Sequence, residues 1–367
     1  LWVVAFLYAP RTPLFALAFI MTGLFIASLR VGGRVPVAAF TFDGPRGVVA
    51  RGGAITLGVV TVVAAGFFLQ HALAFAIFNS GARSFVQDNN PTAARATIER
   101  AHAISAQDLY ARALVGLTVE EMRRVVQSAT DANTNETLTA FQTLLADAER
   151  FAVEAANLDP ENYLNAMTAG SLYEAIAPLQ VANAYENAKA AYTAATQLNS
   201  QNPLPHFALA RLEAAVGTSG EDAIAHLGKA LELKPNYADA YLLASEIARV
   251  QGNVDEAVAA SLLAAQSSSD PSAYFRAGVL EFDRRNYRAA IENFNRAIQL
   301  VPEYSNARYF LGLSYERTGE VAAAIAELER VAALNPGNTD IESLLTELRQ
   351  RASAPPPAPE SEAEDAE

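Results

Sequence analysis

The sequence predicts an all-α protein, with transmembrane helices followed by an α-solenoid of stacked helical hairpins. Three observations predict it. From about Phe207 to Pro336 the chain repeats every 33 or 34 residues, and each unit reads as two short amphipathic helices. Ala230–Pro235 recurs as Ala297–Pro302 and again as Val331–Pro336, with a small residue 12 before each proline (Ala223, Ala290, Ala324). Ahead of residue 80, long runs carry no charge. Small side chains let antiparallel helices approach, and the proline stops the second helix. A single hairpin cannot bury its apolar face, so neighbours must stack.

Taken in order, residues 1–79 form the membrane region. Leu1–Ala9 is too short to cross a bilayer and reads as the end of a truncated spanning helix, so the chain is expected to be a piece of a longer one. Residues 14–29 are uncharged and just long enough to span; residues 53–78 form a third run, charged only where His71 is protonated. The loop Arg30–Arg51 holds four arginines and one acid, which places it in the cytoplasm and everything after Phe78 outside. Gln70 and His71 within the run read either as a helix contact or as part of a polar path.

Nothing separates this region from the rest except Asn79-Ser80-Gly81 and the polar run Gln87-Asp88-Asn89-Asn90-Pro91. Residues 80–200 then form degenerate hairpins. Phe75–Val86 with Thr92–Ile104 makes a first pair continuous with the anchor, Leu109–Val126 with Leu138–Leu158 a second. Tyr163–Ala177 with Asn183–Leu198 makes a third, with a lengthened turn around Pro178. Residues 201–351 hold the well-phased units and a capping helix, Thr339–Arg351, giving five or six hairpins in all. Residues 352–367, four prolines and then five acids, form a tail too polar to pack.

The unit Ser305–Pro336 carries Leu311-Gly312-Leu313-Ser314-Tyr315, Gly319, Ala324, Leu328 and Pro336. Pro271–Pro302 carries Tyr274, Gly278, Ala290, Phe294 and Ala297, with Glu281 in place of a tyrosine; the unit from Asn236 lacks its closing proline. This resembles the tetratricopeptide repeat (TPR) family, which implies a right-handed superhelix whose first helices line a concave face. By that phasing Ala208, Leu242, Phe275 and Tyr309 point inward. The candidate peptide groove comprises Leu242, Glu246, Arg249, Phe275, Phe282, Tyr309, Glu316 and Arg317. An apolar and aromatic strip edged by charge suits a peptide or a partner helix, and the same rings could instead pack between repeats.

Residues 1–80 carry five of the 27 basic residues and one of the 40 acids, so the remainder carries 22 against 39. That balance excludes a nucleic-acid partner. With no cysteine and four scattered histidines, no metal, cofactor or catalytic residue is expected. Glu120-Glu121 beside Arg123-Arg124 reads as a solvated helix face. The expected function is a membrane-anchored scaffold in a bacterial inner membrane, its repeats outside the cytoplasm and its partners a protein or peptide and the lipid bilayer. The order of elements also resembles the C-terminal part of bacterial O-antigen polymerase/ligase-like proteins. That resemblance implies cell-envelope glycan machinery and an enzyme whose catalytic part lies elsewhere.

Overall fold

A computed structural model describes residues 45–129, 134–216 and 220–353. Among them the secondary structure is helical, with no strand. The helices are α1 (Pro45–Asp88), α2 (Pro91–Ile104), α3 (Asp108–Gln127), α4 (Thr134–Leu158), α5 (Tyr163–Ile176), α6 (Ala184–Leu198), α7 (Pro203–Val216) and α8 (Glu221–Leu233). They continue as α9 (Ala238–Val250), α10 (Val254–Ser268), α11 (Pro271–Asp283), α12 (Tyr287–Leu300), α13 (Ser305–Thr318), α14 (Val321–Leu334) and α15 (Thr339–Ser353).

Packing divides the chain into two compact units, Leu1–Pro160 and Glu161–Glu367. The sequence partition at residue 200 followed the quality of the repeat motif; the packing boundary follows helix contacts. In the first unit α1 packs on α2, α2 on α3 and α3 on α4; in the second each helix from α5 to α15 packs on the next. The described residues thus form seven hairpins rather than five or six, because every degenerate pair ahead of residue 200 packs as a full hairpin.

Local chemistry sets the helix ends. Asn90 and Asp270 accept hydrogen bonds from the amides of Ala93 (3.1 Å) and Ser272 (2.8 Å), and a proline opens each following helix. Gly252 and Gly319 take left-handed φ values of 81° and 85° between paired helices, and Arg285 takes the same place at 64°. The lengthened turn around Pro178 is a 3-10 turn, Ala177–Leu179, before α6.

The helix pairs touch at one recurring place. A Cβ added to Gly170 would lie 2.4 Å from Tyr192, and one added to Gly278 would lie 2.5 Å from Phe294. The figures are 2.9 Å for Gly312 and Leu328 and 2.8 Å for Gly81 and Ile98. Gly81 is therefore a packing residue inside the helix, which runs through the expected segment Phe75–Val86 without a break. The α9–α10 hairpin puts serines at both positions, and their hydroxyls lie 2.7 Å apart.

Helix α1 runs 44 residues without interruption, so residues 45–51 of the expected cytoplasmic loop are helical. Within its stretch Gly58–Asp88 the most apolar 18 residues have a mean hydropathy of 1.9, and 6% of them are buried. Ile55, Val62, Val63, Phe67 and Leu69 are all more than half exposed. The side chain of Gln70 donates a hydrogen bond to the carbonyl of Ile104, so the body of the first unit begins there. The expected helix 1–9, the span 14–29 and the tail 354–367 lie outside the described residues.

Candidate functional site

The inner-face candidates all lie on the first helices of the hairpins in the second unit. Leu242 on α9 is half-buried and packs against Ala264, Ala265 and Ala273. Phe275 and Phe282 on α11 are half-buried around a core of Ala290, Phe294, Ala297, Ala307 and Leu311. Tyr309 on α13 leans on the core formed with the capping helix. The ring of Phe310 joins these aromatics, with centroids 5.8 Å from Phe275, 5.6 Å from Phe282 and 5.6 Å from Tyr309. Each such pair contributes about 0.5–1.5 kcal/mol beyond its buried area. The rings therefore pack between repeats on one side and remain partly exposed on the other.

The charged candidates do not share one fate. Arg249 donates two hydrogen bonds to Glu246 (2.6 and 3.0 Å), and this contact holds the Glu246 carboxyl below its ordinary pKa. Glu316 is taken by Arg351 of α15 at 2.7 Å, so the capping helix closes that end of the strip. Arg317 is exposed.

Ala208 does not face inward. It is 2% exposed and packs with Ala188, Tyr192, Leu209 and Leu212. The cause is register. Gly278 precedes Ala290 by 12 residues and Gly312 precedes Ala324 by 12, whereas Ala210 precedes Ala223 by 13. Phe207 accordingly takes the inward place, its ring 5.1 Å from that of Tyr237.

Sequence reasoning missed a second polar contact on these helices. Arg211 donates Nε and Nη2 to the two carboxylate oxygens of Glu174, each at 2.7 Å, and the buried hydroxyl of Tyr192 donates to the same group. Burial, then the Glu174 hydrogen bond, pushes the Tyr192 phenol up; the Glu174 hydrogen bond likewise raises Arg211. The six-residue lengthening between α5 and α6 hid this alignment. Glu121 is a further correction: only 6% exposed, it is not on a solvated face, because α2 and α4 cover that side of α3. Among the described residues no group of three or more histidines and acids could hold a metal ion.

The TPR family profile matches residues 219–273 and 275–339, and these residues are tetratricopeptide repeats. Superkiller protein 3 of Schizosaccharomyces pombe is 30% identical over 73 residues, which is 20% of this chain and 5% of that protein. The crystal structure of yeast Tom70 matches with a TM-score of 0.50 and 16% identity, over 77% of this chain and 55% of that one. YrrB, a TPR protein with an unusual peptide-binding site, matches with a TM-score of 0.41 and 16% identity, over 53% of this chain and 97% of that one. The chain thus spans a small part of the curated relative and about half of Tom70. The likeness to Tom70 shows the fold, an α-solenoid of TPR type.

Proposed function

We propose that this chain is a membrane-anchored scaffold whose TPR units hold a protein or peptide partner on the extracytoplasmic face of a bacterial inner membrane. One observation carries the anchoring: α1 leaves Val59, Val60, Val62, Val63, Phe67 and Leu69 exposed and then continues into the first hairpin. A core helix of comparable hydropathy would be mostly buried. Exposed valine, phenylalanine and leucine at that density belong in lipid. Arg46 and Arg51 near its start support a cytoplasmic beginning.

The partner reading rests on the strip of Leu242, Phe275, Phe282 and Tyr309, with Glu246, Arg249 and Arg317 beside it. Partly exposed rings next to charges fit an extended or helical peptide. The glycan-polymerase reading has only the order of elements behind it, and no described residue adds to it.

Alkaline carbonate extraction of cell membranes tests the anchor: the chain is expected to stay in the pellet, and release into the supernatant overturns it. The absence of cysteine makes the orientation measurable. Ser343→Cys on the exposed side of α15 should react with an impermeant maleimide on intact spheroplasts. Labelling only after lysis would place the repeats in the cytoplasm. For the partner, affinity capture on the detergent-solubilised chain should yield a protein that Phe282→Ala with Arg249→Ala loses at unchanged helicity. Retention by that double variant moves the site elsewhere.

A further inference from the structure

The inner face of the second unit holds more positive charge than its own acids neutralise. From the middle of α9, α11 and α13 to their last turns, and just beyond α11, stand Arg249, Arg276, Arg285 and Arg317. Two acids, Glu246 and Asp283, oppose them, once the pairs Arg284–Glu281 and Arg351–Glu316 are set aside. Arg249 is bound to Glu246. Arg276, Arg285 and Arg317 are exposed, and among the described residues their side chains make no hydrogen bond or ion pair.

The chain leaves the solenoid beside this face. Arg351, in the last turn of α15, reaches Glu316 at 2.7 Å, and Arg317 is the next residue along α13. First helices of successive hairpins run in one direction and touch, α7 with α9 and α11 with α13, so their last turns form one edge. At about 10 Å between touching helices, α13, α11 and α9 lie about 10, 20 and 30 Å along that edge from the end of α15. The sequence continues with Pro355, Pro356, Pro357 and Pro359, then Glu360, Glu362, Glu364, Asp365 and Glu367. In a polyproline II helix, at about 3.1 Å per residue, the prolines cover roughly the first 20 Å and the acids roughly the next 20 Å.

We propose that residues 354–367 occupy the inner-face groove of their own chain, the prolines against Tyr309 and Phe282 and the acids against Arg285, Arg276 and Arg249. A proline run loses little freedom on docking and suits a surface of exposed ring faces, and the surplus arginines favour the acids that follow it. The inference rests on the groove of the proposed function and names its resident occupant, which a partner peptide must displace.

The test places spin labels on Val250→Cys, 71% exposed at the end of α9, and on Ala366→Cys. Pulsed electron resonance then reads their separation in the full chain, in detergent micelles with no partner present. A docked tail gives a narrow distance distribution and a free one a broad distribution. Arg276→Glu with Arg285→Glu should broaden it. Glu360→Lys with Glu362→Lys and Glu364→Lys should do the same without altering any residue of the helices, which covers the case in which the arginine variant fails to fold. Combining the two sets should restore the narrow distribution. Arg288→Glu with Arg296→Glu makes the same change of charge on the side of α12 opposite Ala290, Phe294 and Ala297, and should leave it unchanged. A broad distribution before any charge is reversed, a narrow one in either reversed variant, no restoration on combining them, or equal broadening by the α12 pair overturns the proposal. Because no partner is present, a free tail refutes the docking alone, and partner capture by Phe282 and Arg249 keeps its own result.

Discussion

The hairpins α9–α10 and α11–α12 solve the same packing problem by different means. In α11–α12 a glycine meets a phenylalanine, Gly278 under the buried ring of Phe294, and shape alone closes the contact. In α9–α10 two buried serines meet, and Ser245 also lies 2.7 Å from the carbonyl of Ala257. The turns differ in the opposite sense. The serine hairpin has Gly252 at the left-handed position, and the glycine–phenylalanine hairpin strains Arg285 into it. Each hairpin keeps one half of the family's motif and departs in the other, so neither half alone determines the fold.

The largest expected effect tests the steric half. Phe294 has no exposed surface, and Phe294→Ala should destabilise by about 3–5 kcal/mol. The loss should appear in urea unfolding of the solubilised chain, and hydrogen exchange should localise it to α11, α12 and α13, which share that core. A loss below about 1 kcal/mol would mean that the neighbouring repeats, not this contact, hold the hairpin together.

The polar half predicts less. Ser245→Ala leaves the buried hydroxyl of Ser261 without its partner and should cost about 1–3 kcal/mol. Changing both serines to alanine should cost less than the single change, because no buried hydroxyl is then left unpaired. If the double variant is the less stable, the serines fill space rather than pair.

The turns come next, at about 1 kcal/mol each and with opposite signs. Gly252→Ala should lower the melting temperature, since its φ of 81° is costly for a residue with a Cβ. Arg285→Gly should raise it by relieving the same strain at 64°. Equal signs would show that side-chain contacts of these residues outweigh their backbone conformation.

The legible part of this molecule was whatever repeats in register. Gly312, Leu328 and Gly319 follow the family spacing, and the sequence places them correctly. The contact of Gly81 with Ile98 was hidden because the first hairpin lies outside the well-phased units, where no period marks its small residue. Phe207 was hidden behind Ala208 by one extra residue before α8, which a fixed period cannot detect. Glu121 was hidden because charge predicts solvent, while its burial depends on α2 and α4 both packing over that side of α3. Each miss depends on a packing neighbour or a register shift that a fixed local period does not specify.

The smallest expected effect isolates burial from geometry. Glu246–Arg249 in α9 and Glu281–Arg284 in α11 are both spaced three residues apart and both joined by two hydrogen bonds. Their settings differ: the Glu246 side chain is 47% exposed and the Glu281 side chain 6%. Solvent screens the first pair, so Glu246→Gln should leave the melting temperature nearly unchanged at neutral pH. Its pH dependence still has a definite sign. The Arg249 hydrogen bond holds the folded-state pKa of Glu246 below the ordinary value near 4.5. The stabilisation is therefore present above that value and lost as pH falls through the depressed folded-state pKa. The small melting difference between wild type and Glu246→Gln should close in that window. A difference that persists at the acid end would show that Glu246 contributes through packing of its stem along α9 rather than through its charge.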